Sequence, residues 1–288
     1  MTLAVALRLG RVSNLPTVWT NTLAAVVLAG WPAAGWATVL LMLAISLAYV
    51  GGMYLNDAFD ADIDARERPE RPIPSGMVSR RTVYLAGYGM LAACVVLLGL
   101  IGIARGVGLA PAAGGLALAG AIVLYDWNHK GNRFSPLLMG LCRALVYVAV
   151  GLAVTLALPM PLWAAAIAML CYVAGLTYTA KQESLGRVEN MWPLAVLCIP
   201  WLYGLWLSIG APVAFVFLAL LTALMAVTLR LLFRRGPGDV PRAVVTMIAG
   251  IALLDAVFLA AAGAVGAAVV AVALFALTLA AQRYVPGT

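Results

Sequence analysis

Charge is scarce in this chain. Only 10% of its 288 residues are Asp, Glu, Lys or Arg, against 65% hydrophobic residues, and there is a single histidine. Such a composition leaves no room for a separate soluble domain. The mean hydropathy of +1.03 and repeated apolar runs of about 18 residues or more place the chain among integral membrane proteins. Cysteine is also sparse: Cys94, Cys142, Cys171 and Cys198 fall inside apolar runs without CxxC or zinc-type spacing, so they read as small apolar side chains. No basic helix with interleaved aromatics is present, which excludes nucleic acid as the expected partner despite the formal net charge of +7. His129 sits in a short loop between Asp126 and Lys130 and reads as a surface group. No small-residue cleavage site follows Arg8 and Arg11, so a cleaved signal peptide is not expected.

What the chain has instead is apolar sequence in blocks. At about 20 residues per crossing, spans are expected near residues 15–31, 36–56, 82–104, 107–126, 135–157, 161–180, 190–209, 211–233, 241–261 and 263–283. The expected fold is all-α: one domain over residues 1–288, a polytopic membrane bundle of nine to ten transmembrane helices. Basic residues alternate strongly between loops. Arg8 and Arg11 precede the first span, and Arg66, Arg68, Arg71, Arg80 and Arg81 follow the second. Lys130 and Arg133 follow the fourth, Lys181 and Arg187 the sixth, Arg234 and Arg235 the eighth, with Arg283 near the end; the opposite loops carry only Arg105. The excess of positive loops marks the cytoplasmic side, so both termini and the polar loops are expected there. A bacterial inner membrane, with anionic lipid at that face, suits the short loops, and an archaeal or organelle membrane would read alike.

Against this background one stretch is dense in acid. Residues 56–64 read NDAFDADID, four aspartates in nine positions, at the end of the apolar run Ala37 to Leu55. If the helix continues through it at about 100° per residue, Asn56, Asp57, Asp60 and Asp64 share one face and Asp62 points away. Like charges at such spacing repel, and oxygen ligands suit Mg²⁺, which takes one or two carboxylates and leaves sites for phosphate oxygens. A solvated acidic helix end is the plainer reading. The loop continues as RERPERPIPSGMVSRR, where Pro69, Pro72 and Pro74 prevent a regular helix. Its arginines serve either as salt-bridge partners of the aspartates or, with a metal, as a polyphosphate grip.

Two further loops carry polar groups. YDWNHKGNRFSP, residues 125–136, supplies Tyr125, Asp126, Lys130 and Arg133, and Arg143 lies about two turns into the next span. An arginine at that depth must be paired or face a wet cavity; pairing with Asp126 or Glu183 is the structural alternative. YTAKQESLGRVENMWP, residues 178–193, supplies Lys181, Glu183, Arg187 and Glu189. Asp255, inside a late span, is either a site residue or a protonated helix-to-helix hydrogen-bond partner.

The motif formed by Asn56, Asp57, Asp60 and Asp64, NDxxDxxxD, followed by Arg71, Pro72, Ser75 and Gly76, resembles the UbiA superfamily of intramembrane prenyltransferases. The resemblance extends from the first span to about residue 260. It implies about nine helices around a central cavity, with Mg²⁺ bridging an isoprenoid diphosphate near the cytoplasmic face and a lipophilic aromatic or hydroxyl acceptor beside it. Asp57, Asp60 and Asp64 would hold the metal, Arg71 and Lys130 the diphosphate, and Asn56 a ligand or water. Arg68, Tyr125, Lys181, Glu183 and Glu189 complete the expected substrate-binding set, with Asn21, Arg143 and Glu183 nearest an acceptor. Two departures are visible. The family's YxxxK element is stretched by one residue between Tyr125 and Lys130, and the second acidic motif, DxxxD, is replaced by Lys181, Gln182, Glu183 and Glu189. A non-catalytic isoprenoid-lipid binding or transport protein on the same fold is therefore the alternative, and an unrelated ion-coupled transporter a more distant one.

Overall fold

The computed structural model describes residues 1–182, 190–234, 236–285 and 287; Glu183, Arg187 and Glu189 lie outside them. Among the described residues there are twelve α-helices and no strand: α1 (Leu3–Leu9), α2 (Leu15–Leu28), α3 (Trp36–Phe59), α4 (Ala61–Glu67), α5 (Arg80–Ala104), α6 (Ala110–Asn128), α7 (Ser135–Leu152), α8 (Met160–Ala180), α9 (Cys198–Gly210), α10 (Ala214–Arg234), α11 (Asp239–Ala261) and α12 (Val265–Ala281). Short 3₁₀ turns occupy Val12–Asn14 and Trp192–Leu197.

Eight helical segments are long and apolar enough to cross a membrane. Each of the ten expected spans meets a helix, but α2 has only 14 residues and α12 has 17. The chain is an integral membrane protein built as an all-helical bundle.

Local sequence explains where the helices begin and stop. Pro16, Pro111, Pro136 and Pro161 stand in the first turns of α2, α6, α7 and α8, where the missing N–H has no helical partner to lose. Pro69, Pro72 and Pro74 keep the chain irregular after α4, until Ser79 caps α5 by accepting from Thr82 N at 3.1 Å. The helix does not run straight through the acidic motif. Asp60 ends α3 and opens α4, so the chain bends within it.

Packing then sets the interior. Neighbouring helices run in a closed sequence, α2 to α3 to α6 to α7 to α8 to α11 and back to α2, with α5 outside α3 and α6. α11 is the most enclosed. Its run from Met247 to Ala260 is buried throughout, as expected of a helix that is apolar on all faces; the exception in character is Asp255. The starts of α2, α7 and α11 and the ends of α3, α6 and α8 meet at one end of the bundle, around a shared cavity.

Close approaches between helices depend on small residues. A Cβ added at Gly140 on α7 would lie 2.5 Å from the backbone oxygen of Leu170 on α8. By contrast, one at Gly120 on α6 would meet nothing within 4 Å. Gly140→Ala should therefore lower the thermal unfolding midpoint in detergent, at a cost of about 1–3 kcal/mol for overpacking, while Gly120→Ala should not. Equal midpoints for the two variants would contradict the packing.

Candidate functional site

The acidic motif points inward as its spacing predicts. Asn56, Asp57, Asp60 and Asp64 are all buried, whereas the Asp62 side chain is 79% exposed and pairs with Arg80 at 2.9 Å. The bend at Asp60 keeps the register: Asp60 N donates to Asn56 O, and Asp64 N to Asp60 O. Several acids in so apolar a bundle need cations, and three stretches of chain bring them. Arg71, from the proline-rich loop, contacts Asp64 Oδ2 at 2.8 Å and Asp57 Oδ1 at 3.4 Å. Arg11 Nη2 donates to Asp57 Oδ1 at 3.1 Å and Asn56 Oδ1 at 3.4 Å. His129 Nε2 and Lys130 Nζ lie 3.3 and 3.4 Å from Asp60 Oδ2.

These contacts set the local electrostatics. Burial alone opposes ionisation of Asp60, but the hydrogen bond and charge of His129, with Lys130 behind, outweigh it and hold the carboxyl below its usual range. Burial likewise works against the charge on Arg11, and Asp57 outweighs it.

The end of α6 closes the other side. Asn56 Nδ2 donates to Asp126 Oδ1 at 3.1 Å, while Asp126 Oδ2 is buried without a hydrogen-bond partner. Tyr125 stacks on His129 with ring centroids 5.0 Å apart. Lys181, at the end of α8, donates to Asn132 O at 2.6 Å and Ser135 Oγ at 2.9 Å. Arg143 is not paired with Asp126; it donates to Asn21 Oδ1 at 2.7 Å and Thr17 Oγ1 at 3.2 Å.

Together these residues border a polar chamber of about 1180 Å³, counting its open mouth. Arg11, Asn56, Asp60, Asp64, Arg68, Arg71, Tyr125, Lys130, Arg143 and Lys181 line it. Asp57 and Asn21 do not: the first is taken up by Arg11 and Arg71, the second lies behind Arg143. A second cavity of about 570 Å³ runs between α2, α3, α6 and α7, walled by Val18, Ile45, Leu118, Ile122 and Val146. Tyr49, Met53, Tyr125, Met139 and Arg143 border both, so a polar chamber opens onto an apolar cleft. That division suits a ligand with an anionic head and a hydrocarbon tail.

The donor set fits a hard divalent cation only as part of a site. Among the described residues no three His, Cys, Asp or Glu side chains converge as a ready cage. Yet Asp60 and Asp64 oxygens face the chamber beside the amide of Asn56, and such cations are often held by one or two carboxylates with the remainder from a phosphate.

Two residues at this site carried little sequence signal. Arg11 counted only as a positive charge near the N-terminus, although it reaches a helix about 45 positions away. Its backbone, at φ 41° and ψ 48°, is left-handed, the one non-glycine case among the described residues; such a conformation costs about 1–2 kcal/mol and is held here by the guanidinium contacts and by Tyr49 Oη, 3.4 Å from Arg11 O. His129 is not the surface group its loop suggested. It stands four residues after Tyr125, on the same helical face, in the place where YxxxK has lysine. Glu183 and Glu189 fall outside the described residues.

With this geometry in hand, comparison with known proteins is informative. Residues 15–243 match the UbiA prenyltransferase family. The chain is similar to the digeranylgeranylglyceryl phosphate synthase of Methanopyrus kandleri, with 31% identity over 198 residues, 65% of each chain. It is also similar to the synthase of that name from Metallosphaera sedula, with 42% identity over 64 residues, 22% of each. Its fold resembles the apo structure of a UbiA homologue from Aeropyrum pernix K1, with a TM-score of 0.65 at 17% identity, over 86% of this chain and 96% of that one.

The paired state of Asp60 has a consequence for stability against acid. A carboxyl whose folded pKa is lowered contributes stability above its unfolded value, about 3.9, and loses it as pH falls through the folded value. Melting in detergent between pH 6 and pH 3 should therefore show a steeper acid loss for the wild type than for Asp60→Asn. Parallel curves would contradict the ion-paired geometry.

Proposed function

Because this chain belongs to the UbiA prenyltransferase family, we propose that it moves an isoprenyl group from its diphosphate to a lipophilic aromatic or hydroxyl acceptor within the membrane. The observation that carries this reading is the junction of a cation-lined chamber with an apolar cleft at Tyr49, Tyr125 and Arg143. The diphosphate head binds among Arg71, Lys130, Arg68 and Lys181, and the tail lies along α3 between Ile122 and Ile45. The chamber faces the cytoplasm with both termini, as the distribution of arginines suggests.

Each step follows from charge. When the allylic C–O bond breaks, negative charge grows on the departing diphosphate, and preorganised cations stabilise it there more than in the ground state. Arg71 and Lys130 serve that role, with Arg11 completing the positive wall. Asp60 and Asp64, with Asn56 beside them and Asp57 behind, would hold Mg²⁺, which would supply additional neutralisation of the phosphate oxygens. The allylic cation left behind sits at the cleft mouth, where the rings of Tyr49 and Tyr125 offer their negative faces and the apolar walls exclude water. The π electrons or oxygen of the acceptor then capture it, forming the new C–C or C–O bond, and the attacked ring carbon or hydroxyl gives up its proton to the departed diphosphate. Arg143, anchored by Asn21, stands on the acceptor side.

The departure at residues 181–189 favours one alternative, a protein that binds or carries an isoprenoid lipid without transfer; product formation separates the two. Purified protein in detergent, incubated with radiolabelled geranyl, farnesyl or geranylgeranyl diphosphate, Mg²⁺ and a membrane lipid extract, should yield a labelled lipophilic product. Asp60→Asn should reduce that product about 100-fold or more with its helical circular dichroism unchanged. Excess chelator should abolish product from the wild type, and Mg²⁺ or Mn²⁺ should restore it. Undiminished turnover in Asp60→Asn or in chelator would sink the transferase assignment, and Mg²⁺-dependent binding of every donor without product would favour the carrier.

A further inference from the structure

A chain of hydrogen bonds crosses the interior behind the cleft. Asp255 is fully buried in α11, and an ionisable group there persists only with partners. Tyr147 donates its hydroxyl to Asp255 Oδ1, and Asn21 donates its amide nitrogen to Asp255 Oδ2 at 2.7 Å. The second bond decides which way the Asn21 amide faces. With its nitrogen committed to Asp255, its oxygen is left to accept from Arg143 Nη1 at 2.7 Å. Thr17 Oγ1 accepts from Nη2 at 3.2 Å.

These two bonds use two of the five N–H donors of the guanidinium. No carboxylate lies within ion-pair distance of Arg143 among the described residues. Asp255 is one amide removed, bonded to Asn21 and not to the guanidinium. Arg143 therefore presents open donors and positive charge at the junction of chamber and cleft, with the Tyr49 ring 5.6 Å away. A purely apolar molecule in the cleft would leave those donors unmet, at a desolvation cost, and a neutral hydroxyl would meet them without charge assistance, whereas a carboxylate, phosphate or phenolate oxygen would form the stronger charge-assisted pair.

We infer that Arg143 is the receptor for an oxyanion carried by the acceptor, and that Asp255 is a positioning residue which, through Asn21, aims the guanidinium at it. The assignment to the acceptor rests on the transferase reading above; the anion site itself does not.

Binding can be measured without turnover. Purified full-length protein in a non-ionic detergent is titrated with decyl phosphate, decanoate and decanol, and separately with farnesyl diphosphate and Mg²⁺. The wild type should bind at least one of the two anions and not decanol, and which anion binds more tightly identifies the phosphate or the carboxylate source. Arg143→Gln should weaken the anion by about tenfold or more. Asp255→Asn should weaken it comparably, because a single amide oxygen replaces the two that receive Tyr147 and Asn21 and the hold on Asn21 is loosened, while farnesyl diphosphate affinity stays at the wild-type level. A general loss of fold would lower both together. If Asp255→Asn does not fold, Asn21→Ala breaks the same link and should show the same split. The inference is overturned if decanol binds as well as the anions, if Arg71→Gln rather than Arg143→Gln abolishes anion binding, or if both relay variants bind like the wild type. Anion binding in a protein that ignores farnesyl diphosphate would keep the Arg143 site and remove the transferase reading.

Discussion

Neutralising buried acid is the constraint around which this molecule is arranged. Asp57, Asp60 and Asp64 are buried at one end of an otherwise apolar bundle, where an isolated carboxylate would be costly. Their partners come from separate parts of the chain: Arg11 before α2, Arg71 after α4, and His129 with Lys130 after α6. Satisfying the acids thus ties the N-terminal segment and two loops to one point. Removing one partner of such a buried pair typically costs about 3–5 kcal/mol, so the polar end is both a site and a structural clamp.

The same pairs suggest how the proposed chemistry proceeds without large motion. Arg71 and Lys130 already stand beside Asp60 and Asp64, which would hold a divalent cation, so a diphosphate entering the chamber would find its donors in place. The apolar cleft gives the hydrocarbon a place next to that exchange. Arg143 stands where the two environments meet, held by neutral acceptors rather than by an acid.

Much of this was legible in the sequence because it is local. The helix periodicity placed Asn56, Asp57, Asp60 and Asp64 on one face and Asp62 outside, and the structure agrees despite the bend at Asp60. Apolar runs located the helices, although α2 and α12 came out shorter than a full crossing. Pairings across many residues were not legible. Nothing in residues 8–14 announced that Arg11 would adopt a left-handed backbone and reach Asp57, and Arg143, expected either to pair with an acid or to face a wet cavity, gave no sign that Asn21 would anchor it. Asp255 was equally open until α2 and α7 were seen to pack beside α11. His129 was misjudged because a lone loop histidine carries no periodic signal, yet its spacing of four from Tyr125 was available.

The most direct test of the account is a structure of the protein with Mg²⁺ and a farnesyl diphosphate analogue whose bridging oxygen is replaced by sulfur. The account predicts the diphosphate against Arg71 and Lys130, metal density at Asp60 or Asp64, and the farnesyl chain in the cleft between α3 and α6. A diphosphate bound elsewhere, or a chain lying outside that cleft with the chamber vacant, would contradict it.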